Sequence, residues 1–172
     1  IQSGIKFNSN GLRILGRRFK YKKQYPKKSG KVIFQEKING VDHDWKVLVF
    51  GNRCFCLKRS VRKNDFRASG SGIFNFDAVP ANQLLNFAMN VKRKLDTPWV
   101  SLDIIEKNNR YYLIEYQSVH FGLSTLIKNK YYYEYNESNK TWQKLKKDKG
   151  SEYYFASALR MYLSKNEITN ND

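Results

Sequence analysis

The stretch that decides the fold is WVSLDIIEKNNRYYLIEYQSVHFG, residues 99–122. It contains two runs rich in β-branched and aromatic residues, Trp99 to Ile105 and Tyr111 to Gln117, around the polar Lys107-Asn108-Asn109-Arg110. Two such runs flanking turn residues predict a β-hairpin. Carboxylates interrupt both runs. Alternation puts Glu115 and Gln117 on one face of their strand. An odd-length loop, such as Asn108 to Arg110, pairs Ile105 with Leu113 and sets Asp103 opposite Glu115. An even-length loop sends the two carboxylates to opposite faces. Unscreened like charges facing each other across a sheet are destabilising. A hard cation removes the conflict, and Mg²⁺ accepts one or two carboxylates while keeping water and substrate phosphates in its octahedron. Asp103, Glu115 and Gln117 are therefore candidate metal ligands. The competing reading places both carboxylates on a solvated face.

The rest of the chain surrounds this hairpin with short strands and single helices. Asp44 to Phe50 alternates Trp45, Val47 and Val49 against Asp44 and Lys46, which predicts a strand. Gly51-Asn52 predicts a tight turn, and Arg53 to Val61 a returning strand, antiparallel because short turns cannot join parallel strands. Upstream, Val32 to Ile38 reads as a strand closed by Asn39-Gly40. Pro80 opens a helix to about Leu95, with Leu84, Ala88, Val91 and Leu95 as its buried stripe and Pro98 beyond its end. Tyr131 to Tyr135 and Thr141 to Leu145 predict a second hairpin. Ser151 to Ser164 predicts a closing helix with Phe155, Leu159 and Tyr162 inward. Runs of strands interrupted by single helices indicate an α+β fold, an antiparallel sheet with flanking helices. The expected organisation is a basic leading segment over 1–30, one domain over 31–165 and a disordered tail over 166–172.

Composition narrows the partners. The 172 residues are 41% hydrophobic and 15% aromatic, as a folded domain requires, and no apolar run reaches membrane-spanning length. The net charge of +17 favours polyanions such as nucleotides or nucleic acid. Cys54 and Cys56 fall on one face of a strand, which disfavours a mutual disulfide and suits two reduced packing thiols in a cytoplasmic, reducing compartment. With two histidines lacking ligand spacing, a zinc site is not expected, and neither His43 nor His120 is assigned a catalytic role. The chain starts at Ile1 without an initiator Met, so upstream sequence is expected.

Four features point at a nucleoside triphosphate. The first is the acidic pair. The second is the cations Lys46, Lys58, Arg59 and Arg67 on consecutive segments, since phosphoryl transfer depends on charge stabilisation and positioning. The third is Ser69-Gly70-Ser71-Gly72, whose backbone N–H groups can approach phosphate oxygens. The fourth is Phe34 to Ile38 followed by His43-Asp44, a strand end able to present backbone groups to an adenine edge with an acid nearby for ribose.

In this order, VIFQEKINGVDHDWKVLVFGN, CLKRSVRKNDFRASGSG, SLDII and YYLIEYQSVHFG resemble the ATP-grasp superfamily, most closely its sugar-polymer-associated and peptide-ligase-type members. The resemblance runs from about Val32 to Leu126. It implies that Glu36, Lys37 and Ile38 contact adenine and that Asp44 or Asp42 binds ribose. It assigns phosphate to Lys46, Arg59 and Arg67, with Arg67 the catalytic cation. It assigns Mg²⁺ to Asp103, Glu115 and Gln117. Lys46 stands where Arg is frequent in that family, and Ser69 where Asn is common. The chain then corresponds to the C-terminal lobe and hinge of such an enzyme. The implied function is ATP- and Mg²⁺-dependent ligation of a carboxylate to an amine through an acylphosphate, on a small-molecule, peptide or polymer-precursor substrate. A reading from a different class is a basic nucleic-acid-binding α+β domain, which stacks bases on its tyrosines and holds phosphates with its lysines.

Overall fold

The computed structural model describes residues 38–62, 68 and 70–169, with side chains to Lys165. The chain divides between Lys37 and Ile38. The second unit is α+β. Its strands are β1 (His43–Phe50), β2 (Arg53–Ser60), β3 (Phe74–Asn75), β4 (Trp99–Lys107), β5 (Arg110–Gln117), β6 (Tyr131–Asn136) and β7 (Thr141–Lys146). Its helices are α1 (Asn82–Leu95), α2 (Ser124–Lys128) and α3 (Ser151–Thr169). Every strand pairing is antiparallel. The seven-stranded sheet has the order β5-β4-β1-β2-β6-β7, with β3 beside β2.

The β1–β2 turn is Gly51-Asn52, because Phe50 pairs with Arg53. Gly51 sits at φ +59, where a side chain is strained, and a Cβ there would lie 2.9 Å from Met161 Sδ on α3. The turn therefore needs glycine for its backbone, whereas the helix above would accommodate a Cβ by a shift of the flexible Met161 side chain.

Register explains how the two sheet faces differ. Trp45, Val47 and Val49 of β1 pair with Lys58, Cys56 and Cys54 of β2 and with Ile104, Leu102 and Val100 of β4. This face is apolar over most of its length and packs on Leu84, Leu85, Ala88 and Met89 of α1. Val91 and Leu95 pack against the same cluster only partly buried. The basic Lys92, Arg93 and Lys94 occupy the last turn of α1, where the helix dipole favours cations. Cys54 and Cys56 are buried on this face as free thiols.

The other face changes character halfway along β1. Leu48 and Phe50, with Phe55 of β2, form a second core with Leu126 of α2 and with Tyr154 and Ala158 of α3. Asp44 and Lys46 lie on the same face toward the other end of β1, and there it turns polar. The closing helix differs from its expected form in two ways. It buries Tyr154 and Ala158, whereas Leu159 is 41% exposed. It also continues through Thr169, so residues 166–169 of the expected tail are helical.

Candidate functional site

The polar half of the second face forms a cleft of about 250 Å³ lined by Lys46, Arg59, Ser101, Asp103, Glu115, Tyr116 and Gln117. Four adjacent strands supply it. Asp44 pairs with Arg59 across β1–β2, Lys46 with Asp103 across β1–β4, and Asp103 with Glu115 and Ser101 with Gln117 across β4–β5. Side chains on one face of neighbouring strands are within reach of one another, so the register alone gathers these charges.

Asp103 does lie opposite Glu115, but not by the expected route. The turn has two residues, Asn108 and Asn109, both at positive φ (52° and 56°), and Lys107 pairs with Arg110. Two consecutive left-handed residues make the type I′ geometry favoured by twisted hairpins. Continued regularly, that even loop would pair Asp103 with Ile114 and turn Glu115 to the apolar face. Instead Ile104 pairs with Leu113 and Asp103 with Glu115, so Ile114 is an extra residue in a β-bulge. The bulge restores the parity that the loop loses.

The floor of the cleft is an ion-pair network. Arg59 donates from Nε to Asp44 Oδ1 and from a terminal nitrogen to Asp44 Oδ2, both at 2.7 Å. The same terminal nitrogen lies 2.9 Å from Asp103 Oδ2. Lys46 Nζ donates to Asp103 Oδ1 at 3.1 Å. All four side chains are largely buried, Arg59 most deeply at 7% exposure. Burial pushes the Asp44 carboxyl up, against the opposing effect of the Arg59 hydrogen bonds. Burial works to lower the Arg59 pKa, but its bonds to Asp44 and Asp103 outweigh that and raise it, holding the guanidinium charged. Glu115 and Gln117 are exposed at the rim, where Gln117 Nε2 donates to Glu115 Oε1 at 2.7 Å.

The expected site residues divide as follows. Lys46, Arg59, Asp103, Glu115 and Gln117 line one cleft. Asp44 sits at its base, with both carboxylate oxygens taken by Arg59. Lys58 lies on the opposite face, 5.8 Å from the Trp45 ring, as its adjacency to Arg59 in a strand requires. Ile38 is half-buried ahead of β1. Glu36, Lys37, Arg67 and Ser69 lie outside the described residues. Gly70 and Gly72 have left-handed φ of 74° and 77° with open space around them. Their loop is tied back by Arg62 Nε donating to the Ser71 carbonyl at 3.2 Å and by Ser60 N–H donating to the Ile73 carbonyl at 3.0 Å. Asp42, the alternative ribose residue, is paired with His43 at 2.5 Å, which lowers its pKa. His120 is exposed after β5.

Sequence reasoning missed Ser101, which is 3% exposed and lies two residues from Asp103 on the same face. The signal was present, because a serine at i−2 from a candidate ligand in a strand shares its face. It also missed the contact of Lys46 and Arg59 with Asp103, which depends on β4 lying beside β1.

The donor chemistry of Asp103, Glu115 and Gln117 is all oxygen, as a hard cation prefers. Asp103, however, already accepts from two cationic side chains, and among the described residues no group of three His, Cys, Asp or Glu is clustered to hold a metal. The residues fit a cation that brings anionic ligands of its own, because these would occupy Lys46 and Arg59. No protein-family model matches the sequence, and no curated protein matches it significantly.

Proposed function

We propose that this chain forms the metal- and phosphate-binding part of an ATP- and Mg²⁺-dependent ligase of ATP-grasp type, which joins a carboxylate to an amine or related nucleophile through an acylphosphate. The observation that carries this reading is the convergence of Lys46, Arg59, Asp103, Glu115 and Gln117 on one face of the sheet. Cations for phosphate and hard oxygen donors for a metal occur together, as a triphosphate requires.

Asp103 and Glu115, with the Gln117 amide oxygen, would hold Mg²⁺, which when bound neutralises and orients the phosphates. Lys46 and Arg59 hold phosphate oxygens as fixed charges. Arg59 keeps its position because Asp44 grips it from behind through two hydrogen bonds. A substrate carboxylate oxygen attacks the terminal phosphorus, the bond to the bridging oxygen breaks, and ADP leaves. The amine then attacks the acylphosphate carbon, and inorganic phosphate leaves with the former carboxylate oxygen. The enzyme contributes no covalent nucleophile. Its work is to align the reactants and stabilise charge.

The test is titration of the chain with ATP, with and without Mg²⁺, by calorimetry. Wild type is expected to bind ATP in a Mg²⁺-dependent manner. The double variant Asp103→Asn, Glu115→Gln is expected to lose that dependence while keeping its fold. Full Mg²⁺-dependent affinity in the double variant would remove the metal assignment, and no ATP binding by wild type would remove the reading as a whole.

A further inference from the structure

We infer that the outer edge of β5 pairs with the same edge of a second copy of this chain, giving a two-fold dimer in which one antiparallel sheet runs through both protomers. This inference goes beyond the proposed nucleotide reading and does not depend on it.

The sheet ends in two unlike edges. Among the described residues, β5 pairs only with β4 and β7 only with β6. An open edge carries unpaired N–H and C=O groups and invites pairing with another chain unless it is blunted, above all by lysine. β7 is blunted: it carries Lys144 and Lys146, with Lys147 just beyond its end. Pairing β7 with itself about Leu145 would set lysine against lysine. β5 holds no lysine, and its only charges are Arg110 and Glu115. It exposes Tyr112, Ile114 and Tyr116 instead.

Strand parity makes this edge complementary to itself. Arg110 and Glu115 are five residues apart, so in a regular strand they would lie on opposite faces. The bulge at Ile114 brings them to one face with Tyr112, opposite Lys107, Asp103 and Ile105. Tyr111 and Leu113 lie on the other face, opposite Glu106 and Ile104. Antiparallel pairing about a two-fold axis at Tyr112 sets Tyr112 against its own copy and Tyr111 against Leu113. It also sets Arg110 against the Ile114–Glu115 bulge, with Glu115 on the same face. The aromatic, apolar and opposite-charge pairs that result are those that stabilise sheets, and symmetry supplies the charge pair twice. Axes at Tyr111 or Leu113 give Arg110 no carboxylate. Within one chain Arg110 faces Lys107, a like charge, and it has no acidic partner among the described residues.

The backbone agrees with that axis. A two-residue turn makes Lys107 and Arg110 a hydrogen-bonded pair, and bonded and non-bonded pairs alternate along an antiparallel ladder. Tyr111 and Leu113 therefore turn their N–H and C=O groups outward, where the two-fold sets them opposite each other. Glu115 Oε1 accepts from Gln117, and a carboxylate offers about four lone-pair sites. Arg110 of the second copy and a cation in the cleft can therefore share it.

The test is sedimentation velocity on the full chain over a concentration series, without nucleotide or metal. The salt is about 0.15 M, where the screening length of about 8 Å damps the long-range repulsion between chains of net charge +17. Wild type is expected to show a reversible monomer–dimer equilibrium. Arg110→Glu and Glu115→Arg each oppose like charges at two symmetric places, and each should raise the dimer dissociation constant roughly tenfold or more. The double variant should restore the dimer. Tyr112→Cys should give a disulfide-linked dimer on mild oxidation with copper phenanthroline, because a facing non-hydrogen-bonded pair has Cα atoms about 4.5 Å apart, within disulfide reach. Tyr116→Cys should not, since the axis places it far from its own copy. A wild type that stays monomeric throughout the series overturns the inference. So does a dimer indifferent to Arg110→Glu, or one that Tyr116→Cys links and Tyr112→Cys does not. None of these results depends on whether ATP binds, so failure of the nucleotide reading is read separately.

Discussion

Arg59 is the residue on which the polar floor depends. It satisfies both oxygens of Asp44 and one of Asp103 from a side chain that is 7% exposed. Removing one partner of a buried ion pair costs about 3–5 kcal/mol, because the remaining charge is left uncompensated. Arg59→Met leaves Asp44 in that condition, while Asp103 keeps Lys46, so urea denaturation should show a stability loss of that order. Arg59→Lys should recover only part of it, since a single ammonium cannot reproduce the planar fork that reaches both carboxylates. A loss well under 1 kcal/mol for Arg59→Met would show that the network is open to water and worth no more than a surface pair. The types of residue needed here were legible in the sequence, because Lys46, Arg59, Asp103 and Glu115 stand out in otherwise apolar strands. Their partnerships were not. Lys46 and Asp103 are 57 residues apart, and only the adjacency of β1 and β4 brings them together.

At the scale of the element, the β4–β5 hairpin shows how a right conclusion can rest on the wrong local structure. Residue alternation placed Glu115 and Gln117 on one face, and they do share it. The facing of Asp103 and Glu115 was expected from an odd loop, whereas the turn is even and a bulge at Ile114 corrects the parity. Turn and bulge could not be separated at the acidic pair, because either arrangement sets Asp103 opposite Glu115; they differ nearer the turn, where Ile105 pairs with Tyr112 and not with Leu113 as expected. The correction has a testable consequence. Deleting Ile114 removes the bulge but leaves Leu113 opposite Ile104 and Glu115 opposite Asp103. Mg²⁺–ATP affinity should therefore survive that deletion. Deleting Tyr116 instead moves Gln117 to the opposite face, and Mg²⁺-dependent affinity should fall. Loss of binding in the Ile114 deletion, with the fold intact by circular dichroism, would mean that the twist of the bulge is itself part of the site. β1, β2, β4 to β7 and α1 were legible from residue alternation, apolar spacing and the prolines that flank α1, whereas the two-residue β3 was not. The inward face of α3 was not, since Tyr154 and Leu159 fit an apolar stripe equally well and only the position of Phe55 selects Tyr154, with ring centroids 4.9 Å apart.

At the scale of the whole molecule, the sheet carries an apolar core on each face and a charged region on half of one. The α1-side core holds Cys54 and Cys56, whose thiols are pushed well up by burial, and the other core holds Tyr154, pushed up to about 12. Unfolded thiols ionise near 9.0 and tyrosine near 10.0. Above pH 9 these groups hold more protons in the folded chain than in the unfolded one, so their contribution to stability falls as pH rises, by about 1.4 kcal/mol per pH unit for each such thiol, while Lys92 and Lys147, whose pKa burial lowers, act in the opposite direction. Thermal unfolding between pH 8 and 11 should show this decline, and Cys54→Ala, Cys56→Ala should flatten it; an equally steep decline without the thiols would place the linkage elsewhere. The charge of +17 leaves two partner classes in competition, and salt dependence separates them most directly. The measurement is the affinity of the full chain for Mg²⁺–ATP and for a single-stranded oligonucleotide between 50 and 200 mM salt. A protein that neutralises six or more nucleic-acid phosphates loses roughly a thousandfold or more in affinity over that range. The account predicts Mg²⁺-dependent ATP binding with a shallow salt slope, abolished in the Asp103→Asn, Glu115→Gln variant. Tight oligonucleotide binding with a steep slope, together with ATP binding indifferent to Mg²⁺ and to both substitutions, would contradict it.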